Sequence, residues 1–303
     1  MLRALLLYLS ERETPRKLLT GLPGARQLPE RFIAGETLDR ALAVVGRMNR
    51  DGFEATLDHL GESVLDAGAA GENCRIYLDA LDRLERERAR AGISVKLTAL
   101  GLALDESIAR RHVAALAERA RERHNFVRID MEGSAYTENT LRIFREVDAP
   151  RAALGVVIQA YLYRSERDVD QLLGLGASIR LVKGAYQEPA EIAFPSKKDV
   201  DANFLRLTRK LLGSGLYHGI ATHDPQLIIA TQDFARARGI TPDRFEFQML
   251  YGVRRRLQRE LVQQGHRVRI YIPYGEQWYP YFMRRLAERP ANVLFLLRSL
   301  FRE

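Results

Sequence analysis

From about residue 51 onward, the polar and hydrophobic positions of this chain follow one repeated pattern. Short runs rich in β-branched and aromatic residues lie at 54–60, 93–100, 126–133, 155–162, 178–186, 217–224, 245–252 and 267–275. Between them run longer stretches with apolar residues three and four apart, among them 106–123, 137–147, 199–213, 225–238 and 254–264, each bounded by Gly, Pro, Asn or Asp. A period of two giving way to one of 3.6 is the signature of a strand followed by a crossover helix. Eight such units in about 250 residues predict an α/β fold of the (β/α)8 barrel type. A doubly wound sheet would want a glycine-rich phosphate fingerprint after its first strand, and 58–62 reads DHLGE instead. Residues 1–50 look helical and stand outside the repeat. They are read as an N-terminal helical arm packed on a barrel of residues 51–303, with an oligomer contact, and so a homo-oligomer, as the alternative.

The 303 residues are 46% hydrophobic and 28% charged, enough apolar material for one large core. The length would accommodate two domains, but no Gly-rich or Pro-rich linker divides the chain. Cys74 is the sole cysteine, which excludes an intramolecular disulfide and a cysteine-ligated zinc or iron–sulfur centre and fits a reducing, cytoplasmic setting. The opening MLRALLLYL, residues 1–9, lacks the cleavage site of a signal peptide, and no stretch approaches the roughly 18 apolar residues of a membrane span. Membrane contact is therefore expected to be peripheral at most. The net charge of +8 raises the question of nucleic acid, yet arginines alternate with glutamates, as in LERERARAG at 84–92, and form no long basic run. No nucleic-acid partner is expected.

Strands of a parallel barrel are buried on both faces, so a polar side chain within one costs desolvation unless something uses it. Seven successive strands carry one toward the C-terminal end: Lys96, Asp130, Gln159, Lys183, His223, Gln248 and Tyr271. Barrel enzymes build their sites at that end. Any one of these is accounted for by a buried ion pair or a solvated strand end; seven in register around one mouth point to an active site. The cations Lys96, Arg180, Lys183 and His223 outnumber the acids Asp130, Glu132 and Asp224, which suits a ligand bearing phosphate or carboxylate. His59, His223 and Asp224 are too sparse a set for a metal centre, and no metal is expected. On the last helical stretch Tyr281, Arg284, Arg285 and Glu288 recur at i, i+3, i+4 and i+7, along one face of a helix that begins at the rim. That stripe is either a solvated face or, through its adjacent arginines, a grip for a carboxylate.

The segments KLTALGL (96–102), RIDME (128–132), VIQAYLYRS (157–165), RLVKGAYQEP (180–189), ATHD (221–224), FEFQMLYG (245–252), YIPYG (271–275) and YFMRRLAERPAN (281–292) resemble those of the proline dehydrogenases, flavin enzymes that open proline catabolism. The likeness is greatest to the short monofunctional bacterial members and covers nearly the whole chain from about residue 30. It implies a barrel whose last helix lies over the mouth, and a noncovalent FAD. Gln159, Arg180, Val182, Lys183, Gly184, Ala185, Thr222 and His223 would contact the flavin and its phosphates, with Met131 near the ring and Glu288 at the adenosine ribose. Lys183 and His223 would offset pyrophosphate charge, and Arg180 would lie near flavin N5. For the substrate, L-proline, the resemblance implies Lys96, Arg284 and Arg285 at the carboxylate, with Asp130, Tyr186, Leu250, Tyr271 and Tyr281 completing the pocket. Arg180, Asp130 and Tyr271 form the implied catalytic set. Hydride would pass from proline C5 to flavin N5, giving Δ1-pyrroline-5-carboxylate, and the electrons would go on to a membrane quinone. The chain departs from the family's usual DMED at Gly133 and from its LDLLGE at His59. Read without the resemblance, the same residues leave a Schiff-base aldolase or lyase as the rival, with Lys96 or Lys183 as nucleophile.

Overall fold

The computed structural model describes residues 29–61, 64–147 and 152–288, the side chains of 29 and 284–288 excepted. Eight parallel strands close into a barrel in sequence order: β1 (Glu54–His59), β2 (Ala91–Val95), β3 (Val127–Ile129), β4 (Leu154–Gln159), β5 (Ser178–Val182), β6 (His218–Ala221), β7 (Phe245–Leu250) and β8 (Arg267–Tyr274). The closing pair sets Glu54 opposite Arg269 and His59 opposite Tyr274, so no strand edge is left to solvent. The helices are α1 (Leu38–Arg50), α2 (Ala67–Arg86), α3 (Glu106–Glu122), α4 (Thr137–Glu146), α5 (Ser165–Gly174), α6 (Lys197–Gly213), α7 (Pro225–Ala237), α8 (Arg255–Gln263) and α9 (Trp278–Glu288). The (β/α)8 architecture expected from the period of the sequence is the one observed.

Local chemistry places the helix starts. Asp66, Asp105 and Asp224 each accept a backbone N–H from the first turn of α2, α3 and α7, and Pro225 follows at a position that needs no donor. At α6, Ser196 accepts from the Asp199 N–H while its hydroxyl donates to the Asp199 carboxylate. Behind these caps the apolar stripe turns inward; α3, for example, buries Ala109, Val113, Leu116, Ala117 and Ala120.

The strands alternate sharply across their two faces. Leu57, Ile93, Val95, Val127, Ile129, Ile179, Leu181, Phe247, Met249, Ile270 and Ile272 join the core cluster with the helices. Their neighbours Thr56, Asp58, Ser94, Arg128, Arg180, Glu246 and Gln248 are buried too, yet polar, and with Arg269 they fill the barrel interior. Barrels of this type usually fill that space with Val, Ile and Leu. Here a column of charge runs up the axis, which the chain supports only by pairing nearly every group in it.

Helix α1 packs against β1 and β8 and covers the seam where the barrel closes. The chain just before it reaches the other end of that seam, with Ala34 N–H on the Pro273 carbonyl at 2.8 Å and Gly275 N–H on the Gly35 carbonyl at 3.0 Å. Helix α9 packs its Trp278, Tyr279, Tyr281, Phe282 and Met283 on Phe32, Ile33 and Leu60, beyond the C-terminal end of β1. That puts the last described helix at the mouth. Residues 1–28 of the expected arm and 289–303 lie outside the described residues.

Candidate active site at the barrel mouth

The strand ladders stop earlier than the hydrophobic runs suggest. The expected strand at 93–100 ends at Val95 and that at 178–186 ends at Val182, although one further bond between neighbouring segments, from Tyr161 N–H to the Lys183 carbonyl at 2.8 Å, follows the end of β5. Lys96, Asp130 and Lys183 are consequently the first residues past β2, β3 and β5, and His223 is the second past β6, whereas Gln159, Gln248 and Tyr271 remain within β4, β7 and β8. All seven line one cavity of about 610 Å³ at the C-terminal end of the barrel, within the usual range for a small-molecule site. Arg180, Met131, Val182, Gly184, Ala185, Tyr186, Thr222 and Leu250 lie on the same wall.

Asp130 is the hub of the deep end. Its Oδ1 accepts from Arg180 Nη1 at 2.7 Å and from Ser94 Oγ at 2.7 Å, and its Oδ2 accepts from the Tyr271 hydroxyl at 2.7 Å. The Arg180 guanidinium also lies 5.3 Å from the centre of the Tyr271 ring. Burial, reinforced by the Asp130 charge, pushes the Tyr271 phenol well above its ordinary range, so it stands as a hydrogen-bond donor. Beside this group Lys96 Nζ donates to both oxygens of Asp58, at 2.8 and 3.0 Å. Asp58 is 1% exposed, and desolvation outweighs Lys96 in raising its carboxyl above the usual value.

Around the ends of β4 and β5 the mouth is shaped by Gln159, Gly184 and Glu188. Gln159 Nε2 donates to the Glu132 carbonyl at 2.9 Å, which fixes the amide. Gly184 has φ +122°, and a Cβ there would fall 2.3 Å from the Tyr161 ring, so only glycine lets the chain turn under the loop. Glu188 latches that loop to those after β3 and β4, accepting from Ser134 N–H at 2.7 Å, Ser134 Oγ at 2.5 Å and the Tyr161 hydroxyl at 3.4 Å.

Several expectations change in detail. His223 Nε2 accepts the Leu250 N–H at 2.8 Å, so that nitrogen carries no proton and the ring presents itself neutral rather than as a cation. Lys183 lies 2.5 Å from Asp201 and 3.2 Å from Asp224, so its charge already has two counter-ions. Tyr281 is packed in the apolar cluster with Phe32 and Leu60 instead of standing on the cavity wall. Arg284, Arg285 and Glu288 fall on α9, with their side chains outside the described residues. Asp58, Ser94 and Glu188 were not singled out from sequence. Asp58 and Ser94 carried a usable signal, since each is a polar residue at an inward position of a buried strand; Glu188, in a loop, carried none. Among the described residues no group of three or more His, Cys, Asp or Glu is placed to hold a metal, and no helix is long and apolar enough to cross a membrane.

Comparison with known proteins bears on the chain as a whole. The family model for proline dehydrogenase matches residues 41–298. Proline dehydrogenase 1 of Bacillus subtilis is 41% identical over 306 residues, covering 100% of both chains. The proline dehydrogenase of Deinococcus radiodurans is 41% identical over 284 residues, 91% of this chain and 90% of its own. A crystal structure of proline utilization A from Bdellovibrio bacteriovorus, inactivated by N-propargylglycine, superposes with a TM-score of 0.82 at 28% identity, covering 87% of this chain and 33% of that longer one. Fold, strand-end residues and full-length relatives lead to one assignment: this chain belongs to the proline dehydrogenase family.

Proposed function

We propose that the chain oxidises L-proline at a bound FAD, with Δ1-pyrroline-5-carboxylate as product and a membrane quinone as the final electron acceptor. The observation that carries this reading is the meeting of Lys96, Asp130, Arg180 and Tyr271 at one end of an apolar-walled mouth, in a chain that aligns end to end with a proline dehydrogenase. The donor set fits a flavin nucleotide. Gln159, Arg180 and Thr222 supply an amide, a guanidinium and a hydroxyl for ring carbonyls and phosphate oxygens, and Met131, Val157, Val182 and Leu250 make an apolar face for a planar ring. Glu288 on α9 is assigned to the adenosine ribose.

When bound, the flavin supplies a two-electron acceptor for the hydride lost from proline C5, while the amine proton leaves to water and the C5–N bond becomes an imine. Arg180 places a fixed positive charge where negative charge develops, and Asp130 holds the guanidinium there. Lys96, with Arg284 and Arg285 from α9, pairs with the substrate carboxylate. Leu250, Tyr271 and Tyr186 enclose the pyrrolidine ring and exclude water from it. A Schiff-base mechanism needs a lysine amine free to attack a carbonyl; Lys96 is bonded to both oxygens of Asp58, and Lys183 lies between Asp201 and Asp224.

The deciding test is an absorbance spectrum. The purified protein should show flavin bands that bleach on anaerobic addition of proline. A colourless protein that remains inactive after FAD is supplied would overturn the proposal.

A further inference from the structure

Beneath the cavity the polar column of the barrel continues through β7. Glu246 and Gln248, two residues apart on the inward face, are 2% and 5% exposed. The Glu246 carboxylate accepts from Arg269 Nε at 2.7 Å, from the Tyr217 hydroxyl at 3.0 Å and from the Gln248 amide nitrogen. Burial opposes its charge, but Arg269 and the Gln248 hydrogen bond hold the Glu246 carboxyl below its usual range, so it acts only as an acceptor. An acceptor-only neighbour allows one orientation of the amide: the NH2 group turns down to Glu246 and the carbonyl oxygen turns up, where it accepts from Arg180 Nε.

We infer that Gln248 is a positioning residue for Arg180, with its orientation set by Glu246 and its space provided by Gly219. Arg180 is held at two points. Asp130 takes Nη1 and Gln248 takes Nε, which together fix the plane of the guanidinium. The amide transmits orientation without charge. A carboxylate in its place would give Arg180 a second counter-ion and weaken the positive field at the mouth, whereas here the second acid sits one layer lower, against Arg269. Gly219, on β6 beside Glu246, shows how closely the amide is fitted: a Cβ there would lie 2.3 Å from Gln248 Nε2 and 2.7 Å from its Cδ.

This inference rests on the proposed placing of Arg180 beside the flavin, and the experiment separates the two. Sulfite adds reversibly to N5 of oxidised flavins and does so more tightly when a cation lies beside it, so its affinity for the holoenzyme reads the Arg180 field without turnover. Gln248→Met keeps the bulk and removes both hydrogen bonds. It should weaken sulfite binding at least tenfold and lower kcat for proline to a similar degree, with KM within threefold and FAD retained. Gly219→Ala, on the strand paired with that of Arg180, displaces the same amide and should act in the same direction. The double variant should be no worse than the more affected single one, because both act through one side chain. Sulfite affinity and kcat within threefold of wild type in both single variants would overturn the inference, as would losses that follow only FAD content or melting temperature. A wild-type holoenzyme whose flavin proline bleaches, with silent variants, defeats this inference alone; a wild type that takes up no FAD defeats the reading of function on which it stands.

Discussion

Removing one partner of the Lys96–Asp58 pair tests the energetics of the mouth directly. Lys96→Met deletes an ammonium that lies 2.8 and 3.0 Å from the two oxygens of a carboxylate 1% exposed. A buried charge left without its partner costs about 3–5 kcal/mol. Asp58→Asn leaves instead a Lys96 that is 12% exposed and opens onto the cavity, so its cost should be lower, about 1–3 kcal/mol. The double variant removes both desolvation penalties and should lie within about 2 kcal/mol of wild type, giving a coupling energy of about 2 kcal/mol or more. Urea unfolding of the four proteins at pH 7 measures these differences. The pH dependence has a definite sign. Asp58 has a carboxyl raised by burial, and losing Lys96 raises it further; a raised group gives stability at low pH that is lost as pH rises through its folded value, so the Lys96→Met deficit should shrink between pH 7 and pH 5. Both proteins lacking Lys96 should lose proline turnover even where the double variant regains stability, which separates scaffold from chemistry. Single costs that add to the double within about 0.5 kcal/mol would show the pair to be solvated and uncoupled, and the reasoning would fail.

Asp130→Asn keeps the shape of the hub but removes the charge behind its hydrogen bonds; it should lower kcat/KM for proline by about ten- to a hundredfold, and Asp130→Ala by more, with flavin content unchanged. Steady-state kinetics with a dye acceptor measure this, and a change under threefold for the alanine variant would contradict the role given to Asp130. Arg284→Met and Arg285→Met should each lose most of kcat/KM for proline while retaining FAD, since the proposed cofactor contacts come chiefly from the strand ends; kinetics near wild type would return that stripe to a solvated helix face. His218 is buried, with Nδ1 accepting the Ile179 N–H at 3.1 Å and Nε2 bonded to Ser214 Oγ at 3.0 Å, and burial lowers its pKa to about 4. A group depressed on folding contributes stability that is complete above its unfolded value, about 6.5, and is lost as pH falls toward 4, up to about 3 kcal/mol. His218→Gln should flatten the decline of urea midpoints over that window, and an unchanged slope would show that other groups cause it.

The period of the sequence determined the eight strands and the helices between them, because alternation on a strand and the apolar stripe of a helix are local consequences of backbone geometry. Asp105 and Asp224 bound their expected helices for the same reason: a cap is satisfied within three residues. The site was legible as a set of residue types, since Lys96, Asp130, Gln159, Lys183 and Tyr271 are costly to bury without use. Their pairing was not. Lys96 meets Asp58 across 38 positions, and Arg180 meets Asp130 across 50 and Gln248 across 68. His223, read as a cation from its type, is an acceptor because the Leu250 N–H arrives from the neighbouring strand β7. Strand ends likewise depended on pairing with neighbouring strands, and β2 and β5 stop at Val95 and Val182, short of the ends of their hydrophobic runs. These outcomes follow from the register in which eight strands close on one another, and register is a property of the closed barrel that no single segment contains.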